Sequence, residues 1–269
     1  MDYIADSFYH FTPKNENLFS IIKNGFYPRY CKENYDYLLR NYNKLESIFA
    51  IPMVCFCDIP IVFIEEHVEN YGKFAIAMKK KWGEKHLNPL MYLMDGSIPK
   101  NNFVVLQDIL FGEKIKQKSF DVKDLFKRDS KLKKIKKMFY HYHDFIAYMK
   151  KYKGESIKHD NKEIIFYRER EWRWIPKINK EDEENGVILR LDPSDFHLIE
   201  KKNKLIEKNK RYRLEFSKDD VDYLIVDSEE TKHELEQFLS KNNMPQLVDK
   251  VHILEKIIND SKEMFLNKE

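Results

Sequence analysis

Along the chain the hydrophobic positions switch between runs that suit a strand and stripes three and four apart that suit a helix. Ser7 to Phe11 reads as a short aromatic strand, and Leu18, Ile21 and Ile22 predict the helix that follows. Thr12 is placed to cap that helix, Pro13 to begin it, and Gly25 to close it. Beyond a Tyr/Asn-rich stretch from Tyr27 to Tyr42, Met53 to Cys57 predicts a buried strand. Asp58 then offers a cap and Pro60 a start for a second helix, with Ile61, Ile64, Val68 and Tyr71 on one stripe and Gly72 at its end. Phe74 to Met78 is a third strand and Pro89 to Leu93 a fourth.

Lys131 to Lys153 predicts one long amphipathic helix, because Ile135, Met138, Phe139, Tyr142, Phe145, Ile146 and Met149 recur at helical spacing and Gly154 stops them. Ile164 to Ile175 is strand-like, an acidic turn from Glu181 to Gly186 leads into Val187 to Leu191, and Tyr212 to Phe216 alternates as a strand. Tyr223 to Val226 is a short strand followed by a helix capped near Ser228 and reaching about Leu239. No repeat or low-complexity linker divides the chain. The expectation is one α+β domain over residues 1–269 with a basic helical insertion at about 112–160.

Composition supports a folded core: 42% of the 269 residues are hydrophobic and 14% aromatic, with only seven Gly and nine Pro. This excludes fibrous and disordered classes. No window approaches an uncharged apolar span, and the opening residues lack the pattern of a signal peptide, so a soluble cytoplasmic protein without membrane contact is expected. Net charge is only +3, yet Lys114 to Lys137 holds eleven Lys or Arg against three Asp. Such a run could meet a nucleic acid or an acidic protein, or be a solvated helix face. Three cysteines cannot all pair, and Cys55 and Cys57 fall on one face of a strand, which suits a reducing compartment. A zinc site from Cys31, Cys55, Cys57 and His10 lacks any CxxC pair, so no metal is expected.

Glycine-rich phosphate loops, HExxH and GxSxG are absent from the sequence. Three groups of residues remain. His10 lies between Tyr9 and Phe11 and shares a strand face with Thr12, so it is either a core histidine or half of a ligand contact. In Glu169-Arg170-Glu171-Trp172-Arg173, an extended backbone puts Glu169, Glu171 and Arg173 on one side. Arg173 is placed to offset the repulsion between the carboxylates, and a carboxylate so held could stabilise an oxocarbenium-like centre; the alternative is a surface charge ladder. His141 and His143 are two apart on a predicted helix and make a poor metal pair, whereas His67 and Tyr71 are four apart and share a face, either lining a pocket or packing.

Taken together, Phe8 to Thr12, Leu18 to Gly25, Pro52 to Pro60, His67 with Tyr71 and Gly72, Lys80, Trp82, and Glu169 to Arg173 resemble the AbiGi family of bacterial abortive-infection proteins over most of residues 7–260. The resemblance implies phage defence and an antitoxin-side role with a cognate toxin partner. A second similarity, of the Tyr-His-Phe-Thr strand, the following helix and the late Glu-x-Glu strand, is to ADP-ribosyltransferase-like folds. It implies a mixed or antiparallel split sheet and an enzyme that cleaves NAD and transfers or releases ADP-ribose. By that similarity Glu171 is the catalytic carboxylate, Glu169 its partner and His10 a ribose contact, with Tyr9, Thr12, Arg173 and either Phe56 or Tyr71 around NAD. The competing expectation is a non-catalytic protein that binds a toxin.

Overall fold

The computed structural model describes residues 5–39, 47–116, 138, 141–156 and 162–266. The chain opens with β1 (Ser7–Thr12), α1 (Asn15–Asn24), β2 (Arg29–Asn34) and β3 (Ile48–Cys57). α2 (Glu65–Tyr71), β4 (Phe74–Lys79), α3 (Lys80–His86), β5 (Asn88–Pro89), β6 (Met91–Leu93) and α4 (Ile98–Lys116) follow. The later strands are β7 (Met149–Lys151), β8 (Gly154–Ser156), β9 (Lys162–Ile164), β10 (Glu171–Trp174), β11 (Val221–Val226) and β12 (Val251–Ile253). Helices also span Ile199–Glu207, Glu229–Lys241 and Leu254–Leu266.

An eight-stranded mixed sheet runs in the order β12, β11, β4, β1, β3, β10, β5, with β2 joined to β3 off this path. Only β11 and β12 pair in parallel within it. Alternation along each strand divides its side chains between two helical layers. Phe8, Phe56, Ile76, Met78 and Leu224 form one core with Leu18 of α1, Trp82 of α3 and Leu235 and Leu239 of the helix Glu229–Lys241. Tyr9, Phe11, Cys57, Ala75, Ala77 and Ile225 form the other core, under Ile64 and under Leu254 and Ile258 of the last described helix. Gly83 lets α3 come down on β1, since a Cβ there would stand 2.1 Å from the Phe8 ring.

Two features position the candidate site. β3 changes partner along its length: Ile48 to Met53 pair with β2, and Val54 to Cys57 pair with β10. β1 and β3 share a single registered pair, Tyr9 opposite Cys57, after which the His10 ring bonds the Cys55 carbonyl in place of a further ladder rung.

Several sequence expectations change. Lys131 to Lys153 is not one helix: residues 131–137, 139 and 140 lie outside the described residues, and Met149–Lys151 is a strand, held parallel to β6. The basic segment beyond Lys116 is likewise outside, up to residue 137. Ile164 to Ile175 is broken by a 3-10 turn, Phe166–Glu169, and by Arg170 at φ 41°, which leaves β10 four residues long. Thr12 ends β1 instead of capping α1, and accepts a bond from Asn17. The helix expected from Pro60 is a 3-10 turn, Ile61–Phe63, before α2. Val187 to Leu191 and Tyr212 to Phe216 keep only the bridges Ala50 to Leu191 and Phe26 to Leu214.

Candidate functional site: a buried carboxylate network

The four residues of β10 alternate strictly, Trp172 and Trp174 packing on the aromatic core while Glu171 and Arg173 turn to the other face. Arg173 is fully buried and Glu171 is 8% exposed. Arg173 Nε donates to Glu171 Oε1 at 2.6 Å and its terminal nitrogen to Oε2 at 3.2 Å, a bidentate pair. The same guanidinium donates to the Ala147 carbonyl at 2.8 Å and pairs with Glu33 at 3.0 Å. Glu33 comes from β2, where it stands opposite Phe49 of β3.

Glu169 joins Glu171 despite the broken strand. The left-handed Arg170 lifts the preceding turn off the ladder, and both carboxylates then converge on Lys150 of β7, whose Nζ donates to Glu169 Oε2 at 2.6 Å and Glu171 Oε2 at 2.8 Å. Tyr71 donates its hydroxyl to Glu169 Oε1 at 2.7 Å while its ring stacks on His67 at 4.3 Å. The Glu171 amide donates to the Tyr92 hydroxyl at 2.9 Å.

Burial alone would push the Glu171 carboxyl up, but the charges and hydrogen bonds of Arg173 and Lys150 hold it well below the usual carboxylate range. Burial likewise opposes the charged forms of Lys150 and Arg173, and the surrounding carboxylates outweigh it, holding both cations well above their ordinary values. Burial, reinforced by Glu169, raises the Tyr71 hydroxyl. All these groups stay ionised or neutral as drawn through the physiological range. The network is a saturated ion cluster.

Of the residues singled out in the sequence, Glu169, Glu171, Arg173 and Tyr71 come together. Tyr9 lies on the same face, one strand beyond Cys57, and burial raises its hydroxyl. His10, Thr12 and Phe56 do not join them. His10 sits in the aromatic core, 5.3 Å from the Phe26 ring and 5.4 Å from that of Phe56, with Nδ1 2.7 Å from the Cys55 carbonyl; burial lowers its basicity. Since the bond is to a carbonyl, Nδ1 carries the proton. The sheet itself therefore separates the imidazole from Glu171. These positions do not fit the expected NAD arrangement: both Glu171 oxygens are engaged internally, and the ribose contact faces the other way.

Lys150, Tyr92 and Glu33 were missed by sequence reasoning. For Lys150 a signal existed, since two close carboxylates with a single arginine leave one negative charge uncompensated. His143 is buried and meets Arg190 at 2.9 Å through Nε2. Among the described residues no group of three His, Cys, Asp or Glu could hold a metal, and no helix is long and apolar enough to cross a membrane.

A model of the family described as the abortive phage resistance protein AbiGi, antitoxin, matches residues 24–227. The chain belongs to the AbiGi family. A relative from Lactococcus lactis subsp. cremoris, "Abortive phage resistance protein AbiGi", is 31% identical over 235 residues, covering 81% of this chain and 88% of its own length. No solved structure matches, so the ADP-ribosyltransferase likeness of the sheet has no structural neighbour behind it. What this AbiGi-family chain has at its candidate site is one face of a mixed sheet sealed by ion pairs.

Proposed function

We propose that this chain is the antitoxin-side protein of an abortive phage-resistance system and acts by binding a cognate toxin partner, not by cleaving NAD. One observation carries the reading. Glu171, the carboxylate that NAD cleavage would need, is 8% exposed and gives both oxygens to Arg173 and Lys150, with His10 behind the sheet. A carboxylate that stabilises a developing cation must face it, and this one faces two resident cations instead. The family description, which names an antitoxin, supports the same reading.

The test combines nicotinamide release from NAD by the purified chain with growth of cells expressing the toxin-side protein, with and without this chain. The expected result is no nicotinamide above the buffer control and restored growth. Nicotinamide release that Glu171→Gln abolishes at unchanged melting temperature would overturn the proposal.

A further inference from the structure

Two nucleophiles stand beside the carboxylate network and take no part in its ion pairs. Cys31 of β2 stands opposite Ile51 of β3, and Cys55 lies four residues further along the same strand, so alternation puts both thiols on one face. Arg173 stands opposite Cys55 on β10 and shares that face. Glu33, two residues after Cys31, ties the strands together by pairing with Arg173 at 3.0 Å. Both cysteines pack against the cluster that holds Phe49, Ile51 and Met53. Both are free and keep part of their surface in water, whereas Cys57 is buried.

The two thiols also meet each other. The Cys55 S–H donates to the Cys31 sulfur, near the point where β3 exchanges β2 for β10 as its partner. That hydrogen bond, helped by the Arg173 guanidinium, outweighs burial and the Glu33 and Glu171 carboxylates, and holds the Cys31 thiol below its ordinary value. Donating the same bond, together with burial, holds the Cys55 thiol well above its own. Burial also pushes the Cys57 thiol up. One sulfur of the pair is thus inclined to attack and the other is placed to follow it, the division that a reversible disulfide needs.

We propose that Cys31 and Cys55 are a peroxide-responsive thiol pair, which closes to an intramolecular disulfide and reopens in a thiol reductant. The Cys31 sulfur attacks one oxygen of hydrogen peroxide. The S–O bond forms as the O–O bond breaks, the departing hydroxide leaves as water with the proton that Cys31 gave up, and Cys31 becomes a sulfenic acid. The Cys55 sulfur then attacks the Cys31 sulfur, the S–S bond forms as the S–OH bond breaks, and a second water carries off the Cys55 proton. The two thiols lose two electrons and one peroxide gains them. The consequence is mechanical: β2 pairs only with Ile48 to Met53, and the new bond fastens it to the half of β3 that carries β10, fixing Glu33 against Arg173. Neither step draws on the toxin-binding reading.

The test treats the full-length chain with hydrogen peroxide, denatures it, blocks the remaining thiols with N-ethylmaleimide and maps the peptides by mass spectrometry. The expected product is the Cys31 peptide joined to the Cys55 peptide, lighter than the two together by two hydrogen atoms and separated again by dithiothreitol, with Cys57 still labelled. Cys55→Ser should stop at the sulfenic acid, which dimedone traps on Cys31 at least about tenfold faster than on Cys55 in the Cys31→Ser chain. Melting temperatures show whether both variants fold, and the peptide map of the unaltered chain decides the matter even where they do not. Maleimide on both Cys31 and Cys55 after peroxide overturns the proposal. So does a disulfide to Cys57 or between two chains, Cys31 carried on to sulfinic acid with Cys55 free, or equal dimedone trapping in the two variants.

Discussion

The network around Glu171 and the outer face of α4 are opposites. In the first, five charged side chains lie mostly inside the protein and find their partners within it. In the second, four large apolar side chains, Ile98, Val105, Leu106 and Ile109, are each more than half exposed among the described residues. Charge in the interior is costly unless paired, so a paired cluster is committed to holding the fold; apolar surface is costly while it stays in water. An eye for reactive residues is drawn to the carboxylates, but the surface with unsatisfied physical chemistry is the helix.

Substitutions should separate the two regions most sharply at Lys150. Lys150→Met leaves Glu169 and Glu171 facing each other with one cation gone, and should lower the unfolding free energy by about 3 to 5 kcal/mol in urea titrations. A loss below about 1 kcal/mol would mean the cluster is not structural. Arg173→Lys keeps the charge but gives up the fork that serves Glu171, Ala147 and Glu33 together, and should cost about 2 to 3 kcal/mol by the same measurement.

Acid should act through the same residues. The folded Glu171 carboxyl lies below its ordinary 4.5, so its contribution is complete above that pH and is lost as pH falls toward the folded value. Urea midpoints between pH 6 and pH 3 should therefore decline with a component of up to about 1.4 kcal/mol per pH unit that is missing in Glu171→Gln. Identical slopes in the two proteins would contradict the assignment. His10→Phe strands the Cys55 carbonyl and should cost about 1 to 2 kcal/mol, with no change in any binding readout. Smallest of all, Val105→Asp should move the unfolding free energy of the free chain by less than about 0.5 kcal/mol. A large destabilisation there would place Val105 in the core and erase the contrast.

Sequence pattern revealed the strands whose side chains have one unambiguous period. Ser7–Thr12, Phe74–Lys79 and Val221–Val226 stand within two residues of expectation, and Gly25 and Gly72 end their helices at positive φ. It failed where tertiary pairing overrides period. Met149 to Lys151 continues a helical stripe, yet β6 draws it into a strand, and that conversion is what delivers Lys150 to the carboxylates. The alternation of Glu169 and Glu171 suggested their proximity for a reason that does not operate, since a left-handed Arg170 stands between them. Helix α4 escaped notice because its apolar residues circle the axis instead of marking one stripe, though Ser97 and Pro99 carry a cap and a first-turn proline. His10 could be placed on a face by alternation, but which face the late strand would share depended on the register of β3, which no local pattern encodes.

The strand order also has a bearing on synthesis. β4 lies between β1, made about 60 residues before it, and β11, made nearly 150 residues later, so a chain still emerging from the ribosome carries the apolar strand Phe74–Lys79 with one side unmatched until Val221–Val226 arrives. Premature termination anywhere in that interval would leave a product with an open, sticky margin, fit for proteolysis or clumping and unfit to accumulate.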